Sequence, residues 1–147
     1  MGIVNRKATF DYTILERFEA GVSLLGMEVK SVKAGHASLE GAFVRIIDGE
    51  AYLLNAQIFA YQYARPDHYD PKRTRKLLLH KRELLRIQIK LGGANLTVIP
   101  VSWYTKGPRI KLEIAVAKGK KQFEKRDSKK KEILRRELDR EFRGKVK

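Results

Sequence analysis

The chain has 147 residues, a formal net charge of +15 and no cysteine. That length suits a single domain with a real hydrophobic core, and the lack of cysteine excludes disulfides and thiolate metal ligands. So positive a charge balance favours nucleic acid as the partner, ahead of an anionic membrane surface. Because no long apolar run or signal-peptide pattern is present, we expect a soluble, cytoplasmic protein that does not enter a membrane.

Short segments that alternate between apolar and polar residues, typical of strands with one buried face, dominate the first 117 residues. The alternation at 10–14 predicts a first strand, and residues 22–25 predict a short second one. A hairpin is predicted over 41–55, with Asp48 and Gly49 in a type I′ turn.

Two later strands are predicted at 96–103 and 110–116, the second from the clearest alternation in the chain. In the first of these, Pro100 cannot donate a backbone hydrogen bond. It therefore indicates either an edge strand or a bulge.

Two helices are predicted between these strands. One covers 27–34 and is stopped by Gly35, a residue suited to the position after a helix C-terminus. The other covers 80–91 and ends at a pair of glycines. At its start, Glu83 lies three residues after His80, the spacing at which a glutamate reaches back to the helix N-terminus in a capping box.

The last segment, 118–147, is the most basic part of the chain. It holds fourteen Lys and Arg against six Asp and Glu, a net of +8, whereas 1–117 carries a net of +7. Such a segment cannot bury enough apolar surface to offset its ordering entropy alone. We therefore predict a folded region over 1–117 and a basic C-terminal tail over 118–147, disordered when free and helical when bound.

The many short strands with an inserted helix predict a mainly β fold. The favoured architecture is an OB-like antiparallel closed β-barrel with a few short helices and a flexible basic C-terminal tail. Such barrels commonly bind nucleic acid on a strand face and its loops.

A second basic cluster occupies 65–76, which holds five Lys and Arg together with Tyr69. Basic side chains contact phosphates, and a tyrosine ring can stack on a base. The alternative is a solvated connector whose charges face water. We favour RNA contact because the cluster leads directly into apolar 77–79, which would anchor it.

No catalytic or metal-binding pattern is present in the sequence. The histidines His36, His68 and His80 are far apart and lack zinc-ligand spacing. We therefore predict no enzyme activity, no metal site and no cofactor. By residue type alone, Glu19 suits a solvent-facing strand end, the alternative being a carboxylate that accepts hydrogen bonds from base edges or 2′-hydroxyls.

Four motifs together point to one family. They are Asn5-Arg6-Lys7-Ala8 leading to Tyr12 and Glu19-Ala20-Gly21; Glu28-Val29-Lys30-Ser31 followed by Ala34-Gly35; Arg73-Thr74-Arg75-Lys76-Leu77-Leu78-Leu79-His80; and Ala117-Lys118-Gly119-Lys120-Lys121 with Glu124-Lys125-Arg126. Through these motifs, in this order over nearly its whole length, the chain closely resembles the SmpB family of SsrA-binding proteins.

The resemblance implies an RNA-binding adaptor of bacterial trans-translation. Such an adaptor binds the tRNA-like domain of transfer-messenger RNA (tmRNA, or SsrA RNA) and delivers it, with elongation factor Tu and GTP, to stalled ribosomes. Glu19 falls on a position where the family contacts RNA, so the resemblance reverses the preference at Glu19 in favour of a functional role. With neighbouring basic residues, the predicted RNA-binding set is Asn5, Arg6, Lys7, Glu19, Arg73, Arg75, Lys76 and Leu78.

The resemblance also implies that the tail enters the decoding centre and the empty mRNA channel, becoming helical there. The residues expected to contact small-subunit ribosomal RNA are Gly119, Lys120, Lys121, Phe123, Glu124, Lys125 and Arg126. Family members often carry Tyr or His at the position of Phe123, so a stacking ring is kept here and a polar atom is lost.

Two other functions stay open at this point. An ordinary ribosomal or OB-type RNA-binding protein would bind unrelated structured RNAs with comparable affinity at equal salt. An RNA-processing enzyme would need a catalytic constellation, which the sequence does not supply.

Overall fold

The computed structural model describes residues 2–60, 68–93, 95–120 and 133–136. Its strands and helices follow in this order: β1 (Ile3–Val4), α1 (Arg6–Asp11), β2 (Tyr12–Val22), α2 (Gly26–Lys33), β3 (Ala37–Ser38), β4 (Phe43–Ile47), β5 (Glu50–Leu54), β6 (Gln57–Ile58), β7 (Arg75–Leu78), α3 (Lys81–Leu91), β8 (Leu96–Lys106) and β9 (Arg109–Gly119). The fold is mainly β with a few short helices, which confirms the coarse prediction.

The strands form one large and one small sheet. Seven strands lie in the order β1-β8-β4-β5-β7-β2-β9, and β3 pairs with β6 separately. All of these pairs are antiparallel, and β8 pairs with β9 as well as with β1 and β4. The long strand β8 therefore has three neighbours.

The core lies on both faces of β8 and β9. On one face, Trp103, Leu112 and Ile114 are fully buried in the main hydrophobic cluster. Because successive side chains of a strand point to opposite faces, Ala115 and Ala117 pack on the other side in a smaller cluster, which Ala8 of α1 contacts. A large share of β9 is thus covered on both faces, and α1 packs beside it, mainly against β2 and β8.

Several local predictions are confirmed. The turn between β4 and β5 has Asp48 at φ 51° and Gly49 at φ 76°, as a type I′ turn requires. The register of β8 shifts just after Pro100, which is the predicted bulge. Gly35 after α2 has φ 82°, and the His80 amide donates to the Glu83 carboxylate at 3.2 Å at the start of α3.

Two strand predictions are wrong. Phe10 lies in α1 and not in a strand, because the Asn5 side chain caps a six-residue helix there. The strand that follows runs unbroken from Tyr12 to Val22, and 23–25 is not a strand. The chain instead turns into α2, where the Leu25 amide donates to Glu28 at 2.9 Å.

The last strand extends through Gly119, two residues past the predicted boundary at 117. Most of the tail lies outside the described residues. The segment 133–136, which is described, is helical. Within the described ranges, none of the helices is long and apolar enough to span a bilayer.

Candidate nucleic-acid interface

The long strand β2 separates the predicted RNA-binding residues into two groups. At one end Tyr12 pairs with Gly119, where the tail begins. At the other end Gly21 pairs with Leu78 of β7. At about 3.3 Å per residue, the two ends are roughly 30 Å apart. We call them the α1 end and the Leu78 end.

At the α1 end, Asn5 is a buried anchor. It is only 5% exposed. Its Oδ1 accepts from the Ala8 amide at 3.3 Å, and its Nδ2 donates to the Pro100 carbonyl at 2.9 Å. One amide side chain thus caps α1 and binds it to the β8 bulge. Arg6 and Lys7, the next two residues, are exposed and present their charges to solvent.

The basic tail leaves the sheet at this same end. The Lys120 amide donates to the Asp11 carbonyl at 2.9 Å, just after Gly119 pairs with Tyr12. Five of the predicted ribosome-contacting residues lie outside the described residues: Lys121, Phe123, Glu124, Lys125 and Arg126.

At the Leu78 end, Glu19 is an exposed and oriented acceptor. Its carboxylate accepts from the Tyr104 hydroxyl and, at 3.3 Å, from Lys106 Nζ. The Tyr104 hydrogen bond lowers the pKa of Glu19, with Lys106 adding to the effect against some desolvation. Desolvation and the Glu19 carboxylate raise the pKa of Tyr104. The carboxylate therefore stays ionised and ready to accept hydrogen bonds.

Leu78 itself is an exposed apolar side chain, 54% accessible. A Cβ on Gly21 would lie 3.3 Å from the Leu78 Cβ, so the glycine lets the two strands approach closely. Leu78 borders a shallow depression of about 380 Å³ that Arg109 and Lys111 also line. An apolar side chain with cations beside it suits a base and its phosphate.

Sequence reasoning missed the residues that surround this end. Tyr104 and Lys106 bind Glu19, and Arg109 lines the depression. All three flank the turn between β8 and β9. The only signal in the sequence was the basic character of Lys106-Gly107-Pro108-Arg109.

The basic cluster after β6 is organised around a buried acid. Glu28 of α2 is fully buried, and Arg73, Arg75 and Tyr69 all bind its carboxylate. We call these four residues the Glu28 cluster. Burial alone would raise the pKa of Glu28, but hydrogen bonds from Arg73, the Leu25 amide and Arg75 hold that pKa below its ordinary value.

Arg75 is the clearest departure from the predicted set. Its side chain is fully buried. It donates to Glu28 at 2.8 and 2.6 Å and to the Ala56 and Pro71 carbonyls at 2.7 and 3.0 Å. No surface is left for a phosphate, so the direct RNA contact expected of Arg75 is replaced by a structural role. The Tyr69 hydroxyl lies 2.8 Å from the Ile58 carbonyl and 3.0 Å from the Glu28 carboxylate, which share its single proton, so it is likewise engaged inside the protein.

The remaining members of the predicted set differ in accessibility. Arg73 binds Glu28 but keeps 30% of its side chain exposed. Lys76 is exposed and pairs with Glu50 at 3.2 Å. In the described part of the chain, no three His, Cys, Asp or Glu residues are placed to hold a metal ion.

Comparison with known proteins places the chain in a family. The family model described as "SmpB protein" matches residues 2–144. The chain is 47% identical to an SsrA-binding protein of Sulfurihydrogenibium sp. (strain YO3AOP1), covering 97% of this chain and 94% of the relative. It is 46% identical to the SsrA-binding protein of Aquifex aeolicus (strain VF5), covering 97% and 91%.

Its fold is similar to that of a solved chain described as "tmRNA-SmpB: a journey to the center of the bacterial ribosome", with a TM-score of 0.69 and 43% identity over 82% of this chain and 85% of that chain. The protein therefore belongs to the SmpB family, which confirms the resemblance found in the sequence.

Proposed function

We propose that this protein is an RNA-binding adaptor of trans-translation. It binds the tRNA-like domain of tmRNA and delivers that RNA to stalled ribosomes. The observation that carries the proposal is the match to SsrA-binding proteins over 97% of the chain, joined with the likeness to a solved tmRNA-SmpB chain. The charge of +15 fits two RNA partners.

We also propose that the sheet is an OB-like closed barrel. The support comes from β8, which pairs with β9 along most of its length and with β4 at Val98↔Val44. Since β4 and β9 are joined in turn through β5, β7 and β2, these pairings complete a ring. Closure removes open strand edges and leaves the outer face and the loops for RNA.

Within this function, the exposed side chains contact tmRNA and the buried ones position them. Arg6, Lys7 and Lys76 supply phosphate contacts, Glu19 accepts hydrogen bonds, and Leu78 packs against an unstacked base. The buried members of the set, Asn5 and Arg75, orient α1 and the start of β7. Arg73 donates to Glu28 and keeps the exposed part of its guanidinium for RNA.

The tail of 118–147 forms the second RNA-binding surface. On the ribosome it becomes helical and follows the decoding centre and the empty mRNA channel. Gly119 and Lys120 begin it at the α1 end, away from Glu19. Two tethered surfaces for two RNAs raise the overall affinity through effective concentration.

The adaptor acts in the cytoplasm, without catalysis, metal or cofactor. Elongation factor Tu with GTP reaches it through the charged tmRNA. These statements rest on the family and on the absence of any catalytic pattern in the sequence.

The test is a reconstituted translation system stalled on an mRNA without a stop codon. Wild-type protein with tmRNA is expected to add the tmRNA-encoded tag. A chain truncated after Gly119 is expected to bind tmRNA almost as well but to add no tag. If the truncation abolishes tmRNA binding, the proposed division between barrel and tail is overturned. If the full chain supports no tagging, the proposed function itself is overturned.

A further inference from the structure

A row of cationic and aromatic side chains crosses the outer face of three adjacent strands. Arg45 of β4 lies directly opposite Tyr52 of β5, and Tyr52 lies directly opposite Lys76 of β7. The flanking residues that point the other way face the core: Ile46 is half-buried, and the others are buried, namely Val44, Ala51, Leu53, Arg75 and Leu77. The row therefore faces away from the core.

The row continues at Phe43, two residues before Arg45 and hence on the same face of β4. Phe43 is 37% exposed. The Arg45 guanidinium carbon lies 5.4 Å from the centroid of its ring, within cation–π range. This contact orients the cation and the ring together. We call Phe43, Arg45, Tyr52 and Lys76 the outer row.

A groove of about 510 Å³ opens beside Phe43 and Arg45. Lys7 of α1 and Thr97 of β8 also line it. That volume lies within the ordinary range of small-molecule sites. The groove thus brings two aromatic rings, Tyr12 and Phe43, together with two cations at the α1 end of the sheet.

We propose that the outer row and its groove bind unpaired RNA nucleotides. Bases stack on the rings of Phe43 and Tyr52, and phosphates contact Lys7, Arg45 and Lys76. This inference rests on the proposed RNA-binding function and adds a single-stranded path to it. The row lies on β4, β5 and β7, so the path crosses the strands from the α1 end towards β7. Each step from one strand to the next is about 4.8 Å.

RNA suits this surface better than a protein partner does, because aromatic faces alternate with cations and stacking tolerates any base. Carboxylates also lie near this region. Asp11 lines the groove, and Glu50 accepts from the Tyr52 hydroxyl at 3.0 Å and from Lys76 Nζ at 3.2 Å. The Lys76–Glu50 pair is about half exposed on both sides, and such exposed pairs contribute little to stability. A phosphate can therefore replace Glu50 at Lys76.

The test uses the full chain and a fluorescent, unstructured oligouridine in an anisotropy titration. Phe43→Ala and Tyr52→Ala are each expected to weaken binding by about fivefold or more, the lower range for loss of one base–aromatic stack. Phe43→Trp and Tyr52→Phe keep a ring and should bind like wild type. Phe59→Ala is the matched control, because Phe59 is 46% exposed but lies next to the separate β3–β6 pair.

Three further measurements test the same surface. Arg45→Gln should reduce the salt slope by about 0.7 on log-log axes, as expected for one lost contact to single-stranded nucleic acid. Phe43→Leu keeps apolar packing without a stacking ring and should resemble Phe43→Ala. Crosslinking of a 4-thiouridine oligonucleotide should map to Phe43 or Tyr52 by mass spectrometry.

The inference is overturned if the wild type does not bind oligouridine, or if both alanine variants bind it like the wild type. Titration of the same variants with the tRNA-like domain separates the two proposals. A wild type that prefers this domain over other RNAs while the outer-row variants change nothing would leave the proposed function standing and remove the outer row from it. A wild type with no such preference would remove the proposed function.

Discussion

Glu28 in α2 and Arg75 at the start of β7 are 47 residues apart, yet both are fully buried and two hydrogen bonds of 2.8 and 2.6 Å join them. Arg73 binds the same carboxylate. The pair thereby fixes the segment that enters β7 against α2. Since Lys76 and Leu78 follow immediately, a buried ion pair sets the position of two proposed RNA contacts.

Removing the guanidinium of Arg75 is expected to destabilise the fold severely. Arg75→Met would leave a buried carboxylate with much of its compensation gone, at a cost of about 3–5 kcal/mol in the free energy of unfolding. Urea denaturation followed by circular dichroism measures it. Lys72→Met is the control, because Lys72 is exposed and should change stability by no more than about 0.5 kcal/mol. A loss below about 1 kcal/mol in Arg75→Met would show that the pair is not structural.

Acid is expected to weaken the fold through Glu28. Its pKa is lowered in the folded state because hydrogen bonds and charges from its partners outweigh desolvation. A lowered folded pKa means that the stabilisation is fully present above the unfolded value, about 4.3, and is lost as pH falls through the folded pKa. The urea concentration at the denaturation midpoint should therefore decrease once the pH falls below about 4.3.

Glu28→Gln should be less stable than wild type at neutral pH, and its urea midpoint should decrease less as the pH is lowered. The matched control is Glu40→Gln, which removes an exposed carboxylate. Equal pH profiles for Glu28→Gln and wild type would contradict the assignment.

The structural role of Asn5 can be separated from an RNA contact. Asn5→Ala removes the helix cap and the hydrogen bond to the Pro100 carbonyl, which should cost about 1–2 kcal/mol of stability. Asn5→Asp keeps the capping oxygen but loses the donor, so its stability should lie between those of the wild type and Asn5→Ala. Thermal unfolding checks both variants, and RNA affinity is then compared where each is folded. A stable Asn5→Ala with weakened RNA binding would show that the direct contact dominates.

The exposed cations of α1 should act through charge. Arg6→Gln and Lys7→Gln are each expected to leave the fold intact, weaken binding of the tRNA-like domain and flatten its dependence on salt. The slope of log affinity against log salt should decrease by roughly 0.7–0.9 for each lost phosphate contact. Lys33→Gln on α2 is a control of equal charge. An unchanged slope in both α1 variants would remove this end from the RNA site.

Local patterns predicted much of the fold. The Asp48-Gly49 turn, the capped start of α3 and the bulge after Pro100 each depend on a few neighbouring residues, so the sequence contains what determines them. The helix α1 was missed because six residues give a weak periodic signal. Its stability comes from Asn5 and from packing of Ala8 on a cluster of β8 and β9 residues, which lie far along the chain.

The candidate site was likewise predictable only in part. Family resemblance selected Glu19 and Leu78, and the structure finds both exposed at one end of β2. The burial of Arg75 was not predictable, because in sequence it is one of five basic residues in a polar stretch. Only the three-dimensional approach of Glu28 distinguishes it from exposed Lys76.

The most direct test of the proposed function is a filter-binding titration with the tRNA-like domain of tmRNA and an unrelated hairpin RNA of equal length at physiological salt. We predict a preference of about a hundredfold, roughly 2.7 kcal/mol. That preference should collapse in Glu19→Lys and persist in Glu40→Lys, which makes the same charge change at another exposed site. Equal affinity of the wild type for both RNAs, lost together as salt rises, would contradict the account and indicate a nonspecific polycation.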